Sequence, residues 1–157
     1  GNDNTSADEE VLVAIGGLSA SLGAADITEI EFITTSFDKS DGGTIQARVR
    51  FNEPVVVNTT GGTPHLAVTN GNQGAGSGRG PHNLTYASGT GTNELVFSLT
   101  IGAANAATNA DDVLVIGTNA LALNSGTIKD VATATTNATI TNSSAIGTAA
   151  GSITVTA

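Results

Sequence analysis

The chain has 157 residues, of which 39% are hydrophobic and 12% charged, with a formal net charge of −9 and no cysteine. This length is sufficient for one domain with a single core. Five basic residues are too few for a phosphate-binding surface, and without cysteine the chain has neither disulfides nor thiolate metal sites. No apolar run approaches the about 20 residues of a membrane-spanning helix. We therefore expect no nucleic-acid partner and no insertion into a membrane.

The first 27 residues are interpreted as an N-terminal arm. Residues 1–10 are polar and acidic, whereas Val11–Ala25 is apolar and uncharged. The apolar stretch predicts either a strand in the domain's own sheet or an arm that covers a neighbouring subunit, because an exposed apolar segment promotes aggregation. The candidate assembly residues are Val11, Leu12, Val13, Ile15, Leu18 and Leu22.

The middle of the chain shows the period-two alternation of apolar and polar residues that is typical of β-strands. Thr28–Phe37 is the first predicted core strand and Thr44–Asn52 is the clearest one. Pro54 is expected to break or bulge the continuation of that strand, because proline has no amide donor. Asn83–Ile101 alternates on both sides of a turn rich in Gly, Ser, Thr and Asn, and therefore predicts a β-hairpin with one face in the core.

The C-terminal part is predicted to continue in the same way. Gly102–Asp112 is read as a short helical turn, Val113–Ile116 as a short strand, and Thr118–Asp130 as a Gly-containing loop anchored by Leu121, Leu123 and Ile128. The tail has the Ala/Thr/Asn pattern of edge strands. Strands separated by turns at intervals of about 8–12 residues, without an amphipathic helix, predict an all-β antiparallel sandwich.

Four segments resemble the immunoglobulin-like repeats of large bacterial surface adhesins, which are also found in structural and decoration proteins of phages. The four segments are VRFNEPVVV (Val49–Val57), GGTPHLAV (Gly61–Val68), LTYASGTGTNELVFSLTI (Leu84–Ile101) and LALNSGTIKD (Leu121–Asp130). The resemblance covers about residues 28–132. It implies an immunoglobulin-like antiparallel β-sandwich, and it is informative about fold rather than about function.

The predicted organisation has three parts. An N-terminal arm covers residues 1–27, the sandwich covers 28–140, and a C-terminal extension or edge strand covers 141–157. The two flanks lie outside the repeat. A link in a tandem adhesin does not need such arms, whereas a separate particle protein that grips its neighbours does.

The candidate ligands for a metal ion are carboxylates in loops, and the ion that they would suit is calcium. No other cofactor is expected. Calcium takes six to eight oxygen ligands that converge on one point. The weak candidates are Asp38, Asp41, Asp111, Asp112 and Asp130. In the adhesin repeats, the aspartate corresponding to Asp130 precedes a small turn often associated with calcium, but here VATATTN follows it. The alternative for all five residues is ordinary loop capping.

The residue pattern does not indicate an enzyme. The two histidines occupy unlike positions and are interpreted as surface or packing residues, and no serine stands in a G-x-S-x-G elbow. The glutamates on the predicted strands are expected to keep edges soluble rather than to form a glycosidase pair. These residues are His65, His82, Glu29, Glu31, Glu53 and Glu94.

The sequence thus predicts a non-enzymatic structural protein displayed on a particle surface, with a phage virion as the leading case, that assembles through its terminal arm. Its partners would be further copies of the chain or other structural proteins of the same particle. The alternative is an immunoglobulin-like module of a bacterial extracellular adhesin, surface layer or filament, stiffened by calcium. One tyrosine and four phenylalanines offer little aromatic surface for stacking on a sugar, so a glycan partner is disfavoured.

Overall fold

The computed structural model describes residues 23–71, 82–103 and 108–157. This part of the chain forms nine strands and one short helix, which confirms the all-β class. The elements are β1 (Ile27–Phe32), β2 (Phe37–Asp38), β3 (Gly43–Asn58), β4 (His65–Gly71), β5 (His82–Ser88), β6 (Thr92–Ile101), β7 (Val113–Ala122), β8 (Thr127–Asp130), α1 (Ser144–Ala149) and β9 (Ser152–Thr156).

The strands form one curled mixed sheet in the order β1-β3-β6-β5-β4-β7-β9-β2. Strand β8 lies off this path and pairs with the last residues of β3. The pairing of β2 with β9 is parallel, and all other strand pairs are antiparallel. Helix α1 packs on β7 and also reaches β1, so it covers part of the edge strand. No helix in the described ranges is long and apolar enough to cross a membrane.

Strand β3 has the alternation that the sequence predicts. Ile45, Ala47 and Val49 are completely buried, while the residues between them point outward. The register of the pairing with β6 shifts between Arg50 and Val55, and on the other edge of β3 the partner changes there from β1 to β8. Proline at position 54 therefore bulges the strand instead of ending it.

The predicted hairpin is confirmed as β5 and β6. Tyr86 lies opposite Phe97, and the two rings meet edge to face with their centroids 6.0 Å apart. Such an aromatic pair contributes about 1 kcal/mol beyond the area it buries. The Tyr86 hydroxyl accepts a hydrogen bond from the Thr90 amide at 2.9 Å, so the tyrosine also holds the turn.

Three predicted elements differ from the structure in their bounds or type. The first predicted strand is split, because the Ile33 and Thr34 amides both donate to the Gln46 carbonyl oxygen and Phe37 joins β2 beside β9 instead. Residues 113–122 form one long strand rather than a short one. Residues 127–130, expected in a loop, form β8, because β3 continues past its bulge and pairs with them.

The C-terminal tail also differs from the expectation. It contains the six-residue helix α1, whose first turn is capped by the Ser143 hydroxyl oxygen accepting from the Ile146 amide at 3.3 Å. Strand β9 is not at an edge, since it lies between β7 and β2 and buries Ile153 and Val155. The tail is thus paired and packed within its own chain. The boundaries proposed at residues 27 and 140 stay predictions.

Strand β7 contains a bulge that is held by Asn142, a residue only 4% exposed. Along β4 the pairing moves from Leu121 to Ile116 within two residues, which leaves residues 117–120 of β7 looped out. The Asn142 Oδ1 atom accepts from the Ala120 amide at 2.9 Å, and Nδ2 donates to the Gly117 carbonyl oxygen at 2.8 Å. The side chain thereby replaces the ladder bonds that the bulge removes.

Candidate functional site

The residues of the GGTP and LNSG segments contact each other, and we call this the Gly62–Gly126 contact. A Cβ atom on Gly62 would lie 1.9 Å from the Asn124 carbonyl oxygen, and one on Gly126 would lie 2.4 Å from the Gly62 carbonyl oxygen. The Asn124 Nδ2 atom donates to the Thr63 carbonyl oxygen at 3.2 Å. These motif residues therefore join two turns of the fold, which is a structural role.

Asp130 caps the turn that follows β8. Its buried carboxylate accepts from the Ala132 amide at 2.6 Å through Oδ1 and from the Thr133 hydroxyl at 3.3 Å through Oδ2. Both carboxylate oxygens thus have partners within the turn.

Asp38 and Asp41 lie at the turn after β2. The Asp38 Oδ1 atom accepts from the Ser40 amide at 2.8 Å and from the Ser40 hydroxyl at 2.6 Å, and these bonds lower the pKa of Asp38 below its ordinary value. The Thr156 hydroxyl donates to Oδ2 at 3.3 Å. Asp41 is exposed at the tip of the turn. Asp38 is therefore another capping residue.

Asp111 and Asp112 differ in burial and in backbone conformation. Asp111 is exposed and has a left-handed backbone with φ of 66°, whereas Asp112 is 1% exposed and its Oδ2 atom accepts from the Asn109 amide at 2.7 Å. Their turn and the turn of Asp38 both lie at the end of β9. Even so, the described residues contain no group of three or more His, Asp or Glu side chains that could hold a metal ion. This arrangement adds no support to the calcium hypothesis.

His82 is the first residue of β5. It is 8% exposed, and its Nε2 atom lies 3.2 Å from the hydroxyl oxygen of the buried Thr108. Burial lowers the pKa of His82, and the carboxylate of Asp112 opposes that shift in part. His82 is thus a packing residue, while His65 lies half-buried on β4.

We expect the stability of the protein to decrease as the pH falls below 6.5, the ordinary pKa of histidine. The unfolded chain binds a proton at His82 more readily than the folded chain, because burial lowers the folded-state pKa. The free energy of unfolding, measured by urea denaturation at a series of pH values, should show this slope. The slope should be smaller in His82→Gln and should persist in His65→Gln; an unchanged slope in His82→Gln would contradict the assignment.

A network of ion pairs covers the outer face of β1, β3 and β6, and we call it the Arg–Glu ladder. Arg48 pairs with Glu31 and, at 3.2 Å, with Glu94; Arg50 pairs with Glu94 at 2.8 Å and with Glu29. The hydrogen bond from Arg50 is the main cause that lowers the pKa of Glu94. The side chains are 31–44% exposed, so each pair contributes little stability, but together they favour one register of the three strands.

The sequence interpretation missed this ladder. It treated the strand glutamates as separate solubilising charges, although Arg48 and Arg50 alternate with buried residues and face the same side. The signal was present as opposite charges on predicted strands. These charges could be assigned to ion pairs only once β1 and β6 were known to flank β3.

A shallow groove of about 240 Å³ lies on the outward face of the β3–β8 pair, and we call it the Val56–Lys129 groove. Val56 lies directly opposite Lys129, and the side chains alternate, so the residues two positions along share this face. The lining residues are Val56, Asn58, Thr127, Lys129 and Ala134. Its lining is mixed, with apolar Val56 and Ala134, polar Asn58 and Thr127, and one cation. Val56 is 43% exposed, and Val131, which follows β8, is 44% exposed.

A second groove, of about 420 Å³, lies between β7, α1 and β9. Its residues are small or apolar, and Gly147 allows the helix to approach the strand, since a Cβ there would lie 2.5 Å from the Ile116 carbonyl oxygen. The groove has no charged lining residue.

The predicted assembly residues, from Val11 to Leu22, lie outside the described residues. The structure does show where the chain that follows them joins the domain. Ala25 is completely buried and its carbonyl oxygen accepts from the Thr139 amide at 2.8 Å. The neighbouring Ala138 amide donates to the Ile128 carbonyl oxygen of β8 at 3.0 Å. The chain therefore enters the domain at Ala25, and residues 138–139 lie between Ala25 and β8.

The fold and these features define an all-β protein with one curled sheet. Its first described residues join the domain beside β8. We compared the chain with protein-family models, curated proteins and solved structures, and none of them matches.

Proposed function

We propose that the chain is a non-enzymatic structural protein that is displayed on a particle surface, with a phage virion as the leading case, and that assembles through its N-terminal arm. The observation that carries this proposal is the position at which the arm is attached. The apolar sequence of residues 11–22 leads into Ala25 and Asp26, beside a face that exposes Val56 and Val131. Apolar surface on both the arm and the domain is a usual feature of subunits that contact one another.

The finer fold that we propose is an immunoglobulin-like sandwich. The order β1-β3-β6-β5 agrees with the A-B-E-D sheet of the constant-type immunoglobulin fold, and β4-β7-β9 agrees with its C-F-G sheet. The pairing of β5 with β4 joins the two halves at one side. This agreement in strand order supports the sandwich and the resemblance to adhesin repeats.

The roles of the motif residues support a scaffold rather than an enzyme. The Gly62–Gly126 contact, the capping by Asp130 and the pair of Tyr86 with Phe97 give structural roles to residues in three of the four segments that carry the resemblance. Since these residues maintain the fold, specific function is expected to lie in the arm and in the variable surface.

The proposal predicts the effect of removing residues 1–22. The variant should start at Gly23, because Ala25 is buried in the domain and must remain. We expect the full chain to form oligomers in chelator and the truncated variant to be a folded monomer, as measured by light scattering together with circular dichroism.

A full-length control separates the apolar contact from the length of the arm. It carries Val11→Ser, Leu12→Ser and Val13→Ser, and it should behave as the truncated variant does. If the full chain is a monomer, arm-mediated assembly is wrong. If assembly instead requires calcium and melting occurs at a lower temperature in chelator, the alternative of a calcium-stiffened adhesin or surface-layer module is favoured.

A further inference from the structure

We propose that the Val56–Lys129 groove of one copy receives the segment Asp8–Val13 of a second copy. This inference rests on the proposed arm-mediated assembly and identifies the surface that the arm contacts. The segment reads Asp-Glu-Glu-Val-Leu-Val, three acidic residues followed by three apolar ones.

Two exposed valines at the groove offer apolar contact to the second half of the segment. Val56 and Val131 are two of the three large hydrophobic residues that are exposed within the described ranges. They flank Lys129 on one face, because Val56 pairs with Lys129 and the Val131 amide donates to the carbonyl oxygen of Pro54 at 3.0 Å. Single exposed valines are common, but two beside one groove form a contact surface.

Lys129 supplies the charge that the first half of the segment needs. The chain has five basic residues and a net charge of −9, so a cation that can pair with an incoming carboxylate is uncommon. Arg48 and Arg50 are engaged in the Arg–Glu ladder, and Lys39 contacts Asn109 at 3.5 Å. Lys129 forms no ion pair with a residue of the described part of the chain. Complementary charge of this kind favours correct orientation of an incoming segment.

The segment is expected to lie over the face of the β3–β8 pair and not to extend the sheet. The edge of β8 that faces away from β3 has no vacant position for another strand. There the Asp130 amide donates to the Thr136 carbonyl oxygen, and the Ala138 amide donates to the Ile128 carbonyl oxygen. Side-chain burial and the ion pair would therefore provide the contact.

The length of the arm allows a second copy as its source. The Asp26 carbonyl oxygen accepts from the Asn52 amide of β3 at 3.0 Å, and Val56 lies four residues further along that strand, so roughly 15 Å separates Ala25 from the groove. About five extended residues would cover that distance. Eleven residues, Ala14–Ala24, connect the segment to Ala25 and would span about 36 Å if extended. This reach is sufficient to leave the domain and contact a neighbour.

Cross-linking through introduced cysteines tests the inference directly, because the natural chain has none. Full-length Leu12→Cys is mixed with full-length Asn58→Cys, which places a thiol in the groove. The matched control replaces Thr148, which lies in the second groove, by cysteine. We expect several-fold more disulfide-linked heterodimer with Asn58→Cys than with Thr148→Cys, as measured by non-reducing electrophoresis and mass spectrometry of the linked peptides.

A charge exchange provides the second readout. Lys129→Glu should weaken self-association about fivefold or more, and Glu9→Lys in the same chain should restore it. Lys39→Glu, which changes the charge equally at the other end of the domain, should leave self-association unchanged.

Each remaining outcome overturns a defined part of the argument. If the full chain assembles and the truncated variant does not, yet Asn58→Cys links no better than the control, arm-mediated assembly stands and the groove is wrong. A monomeric disulfide in the double variant Leu12→Cys/Asn58→Cys would show that the chain's own arm fills the groove, which also overturns the inference. A full chain that remains a monomer rejects both proposals.

Discussion

Replacing Gly62 by alanine is expected to lower the free energy of unfolding by about 3 kcal/mol. The added Cβ atom would lie 1.9 Å from the Asn124 carbonyl oxygen and 3.1 Å from its carbonyl carbon. Both obstructing atoms belong to the backbone, so no change of side-chain rotamer relieves the overlap. The two turns of the Gly62–Gly126 contact would have to separate, and the hydrogen bond between Asn124 and Thr63 would be lost with them.

Thermal and urea denaturation would measure this effect, and a decrease of roughly 10 °C in Tm is expected for a chain of this size. Gly102→Ala is the matched control, because a Cβ atom on Gly102 would meet nothing within 4 Å. Equal stability of the two variants would contradict the close approach of the turns. Gly62 belongs to the GGTP segment that carries the family resemblance. The same measurement therefore shows whether this glycine is needed for packing.

Replacing Asn142 by alanine is expected to cost a similar amount, about 3 kcal/mol. The change removes the acceptor for the buried Ala120 amide and the donor for the Gly117 carbonyl oxygen. Neither group has a strand partner to replace it, because residues 117–120 are looped out of the pairing between β4 and β7. A buried polar group without its partner loses hydration without compensation, and this loss dominates the cost.

Two comparisons make this prediction specific. Asn93→Ala, at an exposed position near the start of β6, should change the free energy of unfolding by less than about 0.5 kcal/mol. Asn142→Asp keeps an acceptor for Ala120 but places an oxygen opposite the Gly117 carbonyl oxygen, so it should also be destabilising. Urea denaturation of all three variants would decide, and a fully stable Asn142→Asp would show that the bond to Gly117 contributes nothing.

These two positions and the Val56–Lys129 groove separate the roles of different parts of the chain. Gly62 and Asn142 hold the turns and the bulge that give the curled sheet its shape. Lys129 and Val56 lie on the outward face, where substitution should leave the fold intact. Changes in stability and changes in assembly are therefore expected to arise from different residues.

The sequence by itself was sufficient for the elements with strong local patterns. The β5–β6 hairpin was predictable because its two alternating segments are joined by a short turn, so both partners are close in sequence. The buried face of β3 and the bulge near Pro54 were predictable for the same local reason, alternation in one case and a missing amide donor in the other.

Only the tertiary structure decided which strands are neighbours and which polar residues are buried. Phe37 leaves the first predicted strand for β9, which is more than one hundred residues later in the chain, and α1 is too short for a periodic pattern. The importance of Asn142 and the Arg–Glu ladder likewise depends on contacts between distant segments. Local alternation determines which face of a strand is apolar, but the partner of each strand depends on long-range packing, and no local signal encodes it.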